Sequence, residues 1–78
     1  MDDFIQIVQD DVVIEKVNLT RATMKEAIKF KKILESDIEK KFKKIVIDIS
    51  QCEFVDSTFL GVLIFALKEM NKIGGQIS

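Results

Sequence analysis

The sequence has no histidine, no proline and a single cysteine among its 78 residues. Without histidine, the chain lacks the most common general base and the most common metal ligand. One cysteine, Cys52, excludes an internal disulfide and favours a reducing compartment. No nucleophile–base pair and no metal-ligand set stands out. We therefore expect a protein that is not an enzyme and that binds no cofactor or metal.

Long apolar runs are also missing. The longest, "FLGVLIFAL" at residues 59–67, is far shorter than the roughly 20 residues that span a bilayer. The amino terminus is acidic and has no basic region before an apolar one, which does not fit a secretory signal peptide. No linker-like or repeated segment divides the chain. These absences predict one small cytoplasmic domain that does not insert into a membrane.

The charges are balanced overall but unevenly placed. The net charge is -1, which gives no general attraction to nucleic acid. Residues 1–20 carry a net charge of -4 and residues 21–44 a net charge of +5. The basic run "KKFKK" at residues 40–44 has no tyrosine or tryptophan interleaved with it. We interpret it as a solvated helix end, and no nucleic-acid partner is expected.

The first half of the sequence predicts a hairpin followed by a helix. Residues 4–8 and 12–17 are rich in β-branched side chains and predict two strands joined by a tight turn. Thr23 and Glu26 have the spacing of a capping box, which begins a helix that should end near Lys41. The residues that fall on roughly one face of this helix are Met24, Ala27, Ile28, Leu34, Ile38 and Phe42.

The second half predicts a central strand and a second helix. Residues 44–50 are apolar on both faces, as in a strand covered by helices. A loop is expected at residues 51–55 and a helix at about residues 58–72. The glycines at residues 74–75 suit a left-handed helix end, and residues 76–78 could open another strand. The predicted fold class is α/β, with a mixed sheet and the order β-β-α-β-α-(β).

Apolar side chains surround the second helix on nearly every side, so it needs cover on several faces. One sheet and one other helix do not supply enough. More chain, a second protomer or a partner would have to complete the packing. The apolar residues on this helix are Phe59, Leu60, Val62, Leu63, Ile64, Phe65, Ala66, Leu67, Met70 and Ile73.

The segment "KIVIDISQCEFVDSTFLGVLIFALKEMNKIGG" resembles the central signature of the STAS domain. This family occurs in anti-sigma factor antagonists and in the cytoplasmic tails of sulphate transporters. Its pattern is an apolar strand ending in Asp-Leu/Ile-Ser, then Asp-Ser-Ser/Thr-Gly-Leu-Gly, an apolar helix and a glycine turn. The matching residues are 45–50, Phe54, Asp56, Ser57, Thr58, Leu60, Gly61, Gly74 and Gly75. Upstream, Leu19 and Thr23 match, whereas Thr20 stands where aspartate is usual.

The resemblance implies a single STAS-like domain over residues 1–78 that lacks the family's last strand and helix. It also implies the function of a bacterial regulator of transcription. A partner that is both anti-sigma factor and serine kinase would bind the unphosphorylated protein and release it after phosphorylating Ser57, with Thr58 as the next candidate. The implied partner-binding residues are Asp56, Ser57, Thr58, Phe59, Leu60, Thr20 and Arg21.

Three other interpretations remain open at this point. Asp56 and Ser57 are both favoured N-cap residues and could have only that structural role. Phe59 replaces the family's usual glycine and would crowd Ser57, which favours an unphosphorylated docking or scaffold subunit of a transporter or larger assembly. A third interpretation is an anion or nucleotide pocket at the start of the second helix. The uncovered sheet edge and second helix also predict a homo-oligomer.

Overall fold

A computed structural model describes residues 2–78 of the protein. Four strands form one mixed sheet in the order β1-β2-β4-β6, with β1 antiparallel to β2 and the other neighbours parallel. This confirms the predicted α/β class and the order of its main elements. The elements are β1 Phe4–Gln9, β2 Val12–Val17, β3 Arg21–Ala22, α1 Met24–Glu39, β4 Lys44–Asp48, β5 Phe54–Val55, α2 Ser57–Lys72 and β6 Gln76–Ile77.

Both helices pack on one face of the sheet, where the alternation of β2 buries Val13, Glu15 and Val17. The intervening β2 side chains point to the other face and are only half-buried. The prediction that helices cover both faces of β4 is therefore wrong. Core residues with less than a tenth of their surface exposed are Val13, Val17, Ala22, Ala27, Phe30, Leu34, Ile45, Phe59, Val62, Ala66 and Met70.

Helix α1 buries only part of the face that the sequence predicted: Ala27 and Leu34 are in the core, as expected. Its buried residues are Ala27, Phe30, Leu34 and Asp37, whereas the predicted core residues Met24 and Ile28 are 63% and 65% exposed. The helix is rotated about its own axis so that Phe30, its largest side chain, faces the sheet. The helix also ends two residues early, at Glu39, since Lys41 adopts a positive φ of 63°.

Three phenylalanine rings tie the hairpin to both helices. Phe30 of α1 stacks on Phe4 of β1, with ring centroids 4.9 Å apart. On its other side Phe30 stacks on Phe59 of α2, at 5.1 Å and an interplanar angle of 9°. Stacked aromatic pairs add to the hydrophobic stabilisation from their buried area. This column therefore links elements that are far apart in the sequence.

Two carboxyl groups are buried between β2 and α1. Glu15 of β2 and Asp37 of α1 are both 0% exposed. The Gln6 amide donates to Glu15 Oε2 at 2.7 Å and to Asp37 Oδ1 at 3.2 Å. The remaining oxygens, Glu15 Oε1 and Asp37 Oδ2, have no hydrogen-bond partner within residues 2–78. Burial and the neighbouring Glu15 raise the pKa of Asp37 to about 8, and a protonated Asp37 can donate a hydrogen bond to the Glu15 carboxylate.

Candidate functional site

A second, two-stranded sheet brings two distant segments together. β3 pairs in parallel with β5, matching Arg21 with Phe54 and Ala22 with Val55. The Thr20 carbonyl accepts hydrogen bonds from the Glu53 and Phe54 N–H groups at 2.8 and 3.2 Å. The sequence predicted only a loop at residues 51–55, because two-residue strands have no periodicity to detect. The result is that Thr20 and Arg21 lie beside the segment that leads into α2.

Asp56 caps both helices at once. Its Oδ1 atom accepts from the Phe59 N–H at 2.8 Å, in the first turn of α2. Its Oδ2 atom accepts from the Met24 N–H at 2.8 Å, at the start of α1. Its own N–H donates to the Ala22 carbonyl at 3.0 Å. One carboxylate therefore satisfies free donors at two helix N-termini and holds those termini side by side.

Ser57 is the first residue of α2 and not its cap. It is exposed, and its side chain makes no hydrogen bond to any other residue in the range 2–78. Thr58 is exposed as well. Because Asp56 already fills the capping role, the Ser57 hydroxyl is free at the positive end of the α2 dipole. The interpretation of Ser57 as a structural cap is therefore wrong.

We expect Asp56→Ala to lower the free energy of unfolding by about 1–2 kcal/mol for each lost cap. Asp56→Asn should cost less than Asp56→Ala, because an amide keeps one acceptor oxygen. Urea denaturation followed by circular dichroism measures both values. Ser57→Ala is the matched control and should change the stability by less than about 0.5 kcal/mol. If Ser57→Ala destabilised the protein as much as Asp56→Ala, Asp56 would not be the cap of α2.

The prediction that Phe59 contacts a partner is wrong. Phe59 is 0% exposed and packs against Phe30 inside the protein. Its neighbours in the sequence, Thr58 and Leu60, point outward instead. In a helix, successive residues are rotated by about 100°, so Phe59 faces away from Ser57. The ring does not crowd the serine, and the argument against a bound partner at Ser57 disappears.

Two exposed apolar residues near Ser57 were not predicted to be part of the site. Phe54 is 42% exposed, and the Arg21 guanidinium lies 4.4 Å from its ring centroid, in a cation–π contact. Met24, at the start of α1, is 63% exposed. Aromatic, methionine and arginine side chains are enriched at protein interfaces. The only signal in the sequence was the family pattern at Phe54, and its exposure could not be derived from that.

A shallow groove between the helices begins next to Ser57. Its volume is about 280 Å³, and its walls include Ile28 and Lys31 of α1 and Thr58, Gly61 and Phe65 of α2. The Lys31 ammonium lies 4.8 Å from the Phe65 ring centroid. Small-molecule sites are usually concave clefts that bury most of the ligand's surface, whereas this groove is shallow and open. The groove therefore does not support the interpretation of an anion or nucleotide pocket at this helix start.

The outer face of α2 is uncovered, as the sequence predicted. Leu60, Ile64 and Leu67 are 50%, 45% and 43% exposed and form one stripe along the helix. The stripe continues into a groove of about 240 Å³ beside β4 and β6. The walls of this groove are Ile47, Ile49, Leu63, Leu67, Ile77 and Ser78.

Asp48 ends β4, and Cys52 lies in the loop that leads from β4 to β5. Burial, with a smaller contribution from the Asp48 charge, raises the pKa of the Cys52 thiol. The thiol therefore stays protonated at neutral pH, and a protonated thiol is a poor nucleophile. Hydrogen bonds from Ser50 lower the pKa of Asp48, whose Oδ1 accepts the Ser50 N–H at 2.9 Å.

The described residues contain no cluster that could bind a metal ion. Within residues 2–78, no three His, Cys, Asp or Glu side chains come close enough together to hold one. Helix length gives a separate result. Neither α1 nor α2, the helices of this described range, is long and apolar enough to cross a bilayer.

Several solved structures with the same fold come from anti-sigma factor antagonists. SpoIIAA, an anti-sigma factor antagonist and cell fate determinant of Bacillus, superposes in its unphosphorylated form with a TM-score of 0.82 at 14% identity, and in its phosphorylated form with 0.80 at 14%. A protein of Thermotoga maritima, described as a candidate anti-sigma factor antagonist, gives 0.81 at 32% identity. In each case 95% of this chain is covered, and it spans 63–68% of the other chain's length.

The sequence itself matches a family model. No curated protein sequence matches this chain. The model of the STAS domain, however, matches residues 10–78, which include β2, both helices and the Asp56–Ser57 helix start. The fold and the matched residues lead to the same result. The chain belongs to the STAS domain family.

Proposed function

We propose that this protein is a regulatory module of the anti-sigma factor antagonist type. In its unphosphorylated form it binds a partner that is both anti-sigma factor and serine kinase. Phosphorylation of Ser57 ends that binding. The chain acts as the substrate and the switch, and performs no chemistry of its own. The related folds of SpoIIAA, solved in unphosphorylated and phosphorylated forms, support this assignment by similarity.

The observation that supports the proposal most is the division of roles at the start of α2. Asp56 uses both carboxylate oxygens to cap the two helices. Ser57 is then exposed and has no structural hydrogen bond within residues 2–78. A hydroxyl that the fold does not need can be modified without unfolding the domain. A hydroxyl at the first helical position also lies beside free N–H groups that stabilise a phosphate.

A phosphate on Ser57 would change the charge of a surface that is close to neutral. It adds a charge of about -1.5 to -2 at pH 7. The neighbouring Asp56 carboxylate is already negative, so the modified site repels acidic groups and requires costly desolvation in a contact. Docking to the partner is therefore weakened, while the helix N-terminus still tolerates the phosphate.

The partner surface that we propose surrounds Ser57 on three sides. Phe54 and Met24 supply exposed apolar contact. Arg21, held over the Phe54 ring at 4.4 Å, supplies a positive charge near the target hydroxyl. We also assign to this surface the exposed residues Thr20, Thr58 and Leu60. Phe59 is excluded from it by burial.

The test uses the purified protein, ATP and the kinase-type anti-sigma factors of its own organism. Intact-mass spectrometry with site mapping should find one phosphate, on Ser57. Ser57→Ala should abolish the modification, whereas Thr58→Ala, the matched control on the next residue, should not. In binding assays Ser57→Asp should weaken the complex about tenfold or more, because it places a charge in the contact.

Two outcomes would contradict the proposal. One is a phosphate on Ser57→Ala protein, which would move the target to another hydroxyl. The other is unmodified Ser57 both in these reactions and in protein from native cells grown with and without stress, with phosphatases blocked. Circular dichroism of each variant would show that loss of phosphorylation is not caused by unfolding.

The uncovered stripe of α2 favours a second candidate, a docking subunit of a transporter or larger assembly. Leu60, Ile64 and Leu67 expose 43–50% of their surface, and such stripes commonly mark protein interfaces. The two candidates differ in which change breaks the assembly. An antagonist loses its partner when Ser57 is phosphorylated, whereas a docking subunit loses it through Ile64→Asp and is insensitive to Ser57→Asp.

A further inference from the structure

The β1 edge of the main sheet has no protection against pairing with another strand. β1 is the first strand in the order β1-β2-β4-β6, so one of its sides is open. Its sequence, "FIQIVQ", contains no charged residue, proline or glycine. Natural edge strands usually carry lysine, proline or a bulge that prevents unwanted pairing. An edge without these features is suited to accept a strand.

The hydrogen-bonding groups that face this open side can be identified. The Asp3 carbonyl accepts the Asn18 N–H at 2.7 Å, so the backbone at Asp3 faces β2. Backbone groups alternate along a strand. The N–H and C=O groups of Phe4, Gln6 and Val8 therefore point away from β2. They form one row of donors and acceptors at the spacing of a β-ladder.

Exposed apolar side chains lie on both faces of the edge. Ile5 and Ile7 are 40% and 48% exposed and lie on the face opposite the helices. Val8, on the helix side, is 52% exposed. An added strand with apolar residues at alternate positions would cover these side chains while its backbone pairs with the edge. The edge thus provides both the backbone pairing and the apolar contact of strand addition.

Acidic residues bracket the neutral strand at both ends. Asp2 and Asp3 precede it, and Asp10 and Asp11 follow it in the turn. Asp11 forms an ion pair with Lys43, at 3.6 Å. A second copy pairing in the antiparallel direction would place the acids of one end against those of the other, and a parallel copy would place like ends together. Both arrangements bring like charges together, which disfavours self-pairing.

We propose that the β1 edge binds an extended segment of a partner protein, as an added strand. The segment is apolar at alternate positions and has lysine or arginine at both ends. The alternate apolar residues pack beside Ile5, Ile7 and Val8, and the basic ends lie against Asp2, Asp3 and Asp10. This surface lies on β1, whereas the Ser57 surface surrounds the start of α2, and the proposal does not depend on phosphorylation.

The test measures the binding of a fluorescent synthetic peptide in which Val and Ile alternate with Thr and paired lysines flank both ends. Anisotropy should show saturable binding, and amide NMR shifts should be largest along β1. The same peptide with glutamates at its ends should bind about tenfold or more weakly. Asp2→Asn combined with Asp10→Asn should remove most of that difference. Asparagine suits position 10, where φ is 56°.

Two variants test the location of the site. Val8→Pro removes an outward N–H and should abolish binding, since proline is tolerated at sheet edges but cannot donate. Ile7→Lys should also abolish binding, because it places a positive charge on the edge. Its matched control is Ile73→Lys at the end of α2, a residue of similar exposure, 55% against 48%, and this variant should bind normally. Thermal unfolding shows whether each variant is folded.

Three results would overturn the proposal. Equal binding of the lysine-flanked and glutamate-flanked peptides would show that the acidic residues at the two ends of β1 do not contribute to binding. Unchanged binding by folded Val8→Pro and Ile7→Lys proteins would place the site elsewhere. A concentration-dependent dimer, seen by analytical ultracentrifugation and lost in Val8→Pro, would show that the edge is occupied by a second copy of this chain.

Discussion

Phe59→Ala is expected to lower the free energy of unfolding by about 3–5 kcal/mol. The side chain is 0% exposed and stacks on Phe30 at 5.1 Å, so its removal leaves a cavity between α1 and α2. The variant also ends the three-ring column that reaches Phe4. Total stabilities of small domains are about 5–15 kcal/mol. A loss of this size brings the protein close to unfolding at room temperature.

Urea denaturation followed by circular dichroism measures this loss, and Leu60→Ala is the matched control. Leu60 is the next residue in α2 but is 50% exposed, so its truncation should cost less than about 1 kcal/mol. If Phe59→Ala does not fold, Phe59→Leu keeps part of the packing and should still be less stable than the Leu60→Ala protein. Equal losses at the two positions would mean that Phe59 is not in the core.

The protein is expected to become less stable as the pH rises from about 6 to 8. Burial, followed by the hydrogen bond and negative charge of Glu15, raises the pKa of Asp37 to about 8, while Lys40 acts in the opposite direction. Asp37 therefore holds a proton in the folded protein, which its unfolded form has lost above its ordinary value of 3.8. In this range the folded state binds more protons than the unfolded state.

The free energy of unfolding falls as the pH rises, because the folded state binds the additional proton. The stabilisation from protonated Asp37 is fully present below pH 3.8 and is lost as the pH rises through about 8. One extra proton in the folded state corresponds to a slope of about 1.4 kcal/mol per pH unit. Few other side chains titrate between pH 6 and 8, because the chain has no histidine. Urea denaturation at several pH values measures the slope.

Asp37→Asn should remove most of the slope between pH 6 and 8. The amide has the same shape and donates a hydrogen bond to Glu15 at every pH, so this variant should exceed the parent protein in stability at pH 9. Asp48→Asn is the control, because Asp48 is only half-buried and its pKa is lowered, far below this window. A parent protein whose stability is constant from pH 6 to 9 would contradict a protonated Asp37 in the folded state.

The site around Ser57 could be predicted only in part from the sequence. The family pattern located Asp56 and Ser57, and the capping preferences of both residues left their roles open. The structure separates these roles, because the Asp56 carboxylate contacts Met24, 32 positions earlier in the chain. No local pattern contains a contact of that range. The short β3–β5 pairing, which places Arg21 beside Phe54, could not be predicted either, because two-residue strands have no periodicity and their partners are far apart in the sequence.

Local patterns in the sequence determined the order of the main elements, the hairpin, the start of α1 and the family. Alternation, capping spacing and glycine placement act within a few residues, and tertiary packing did not override them. Tertiary structure decided which faces are buried. Helix α2 is apolar all round, so periodicity could not separate buried Phe59 from exposed Leu60. Likewise, Asp37 has the side chain of a surface residue. It is buried beside Glu15 of β2, and the Gln6 amide donates to it from β1.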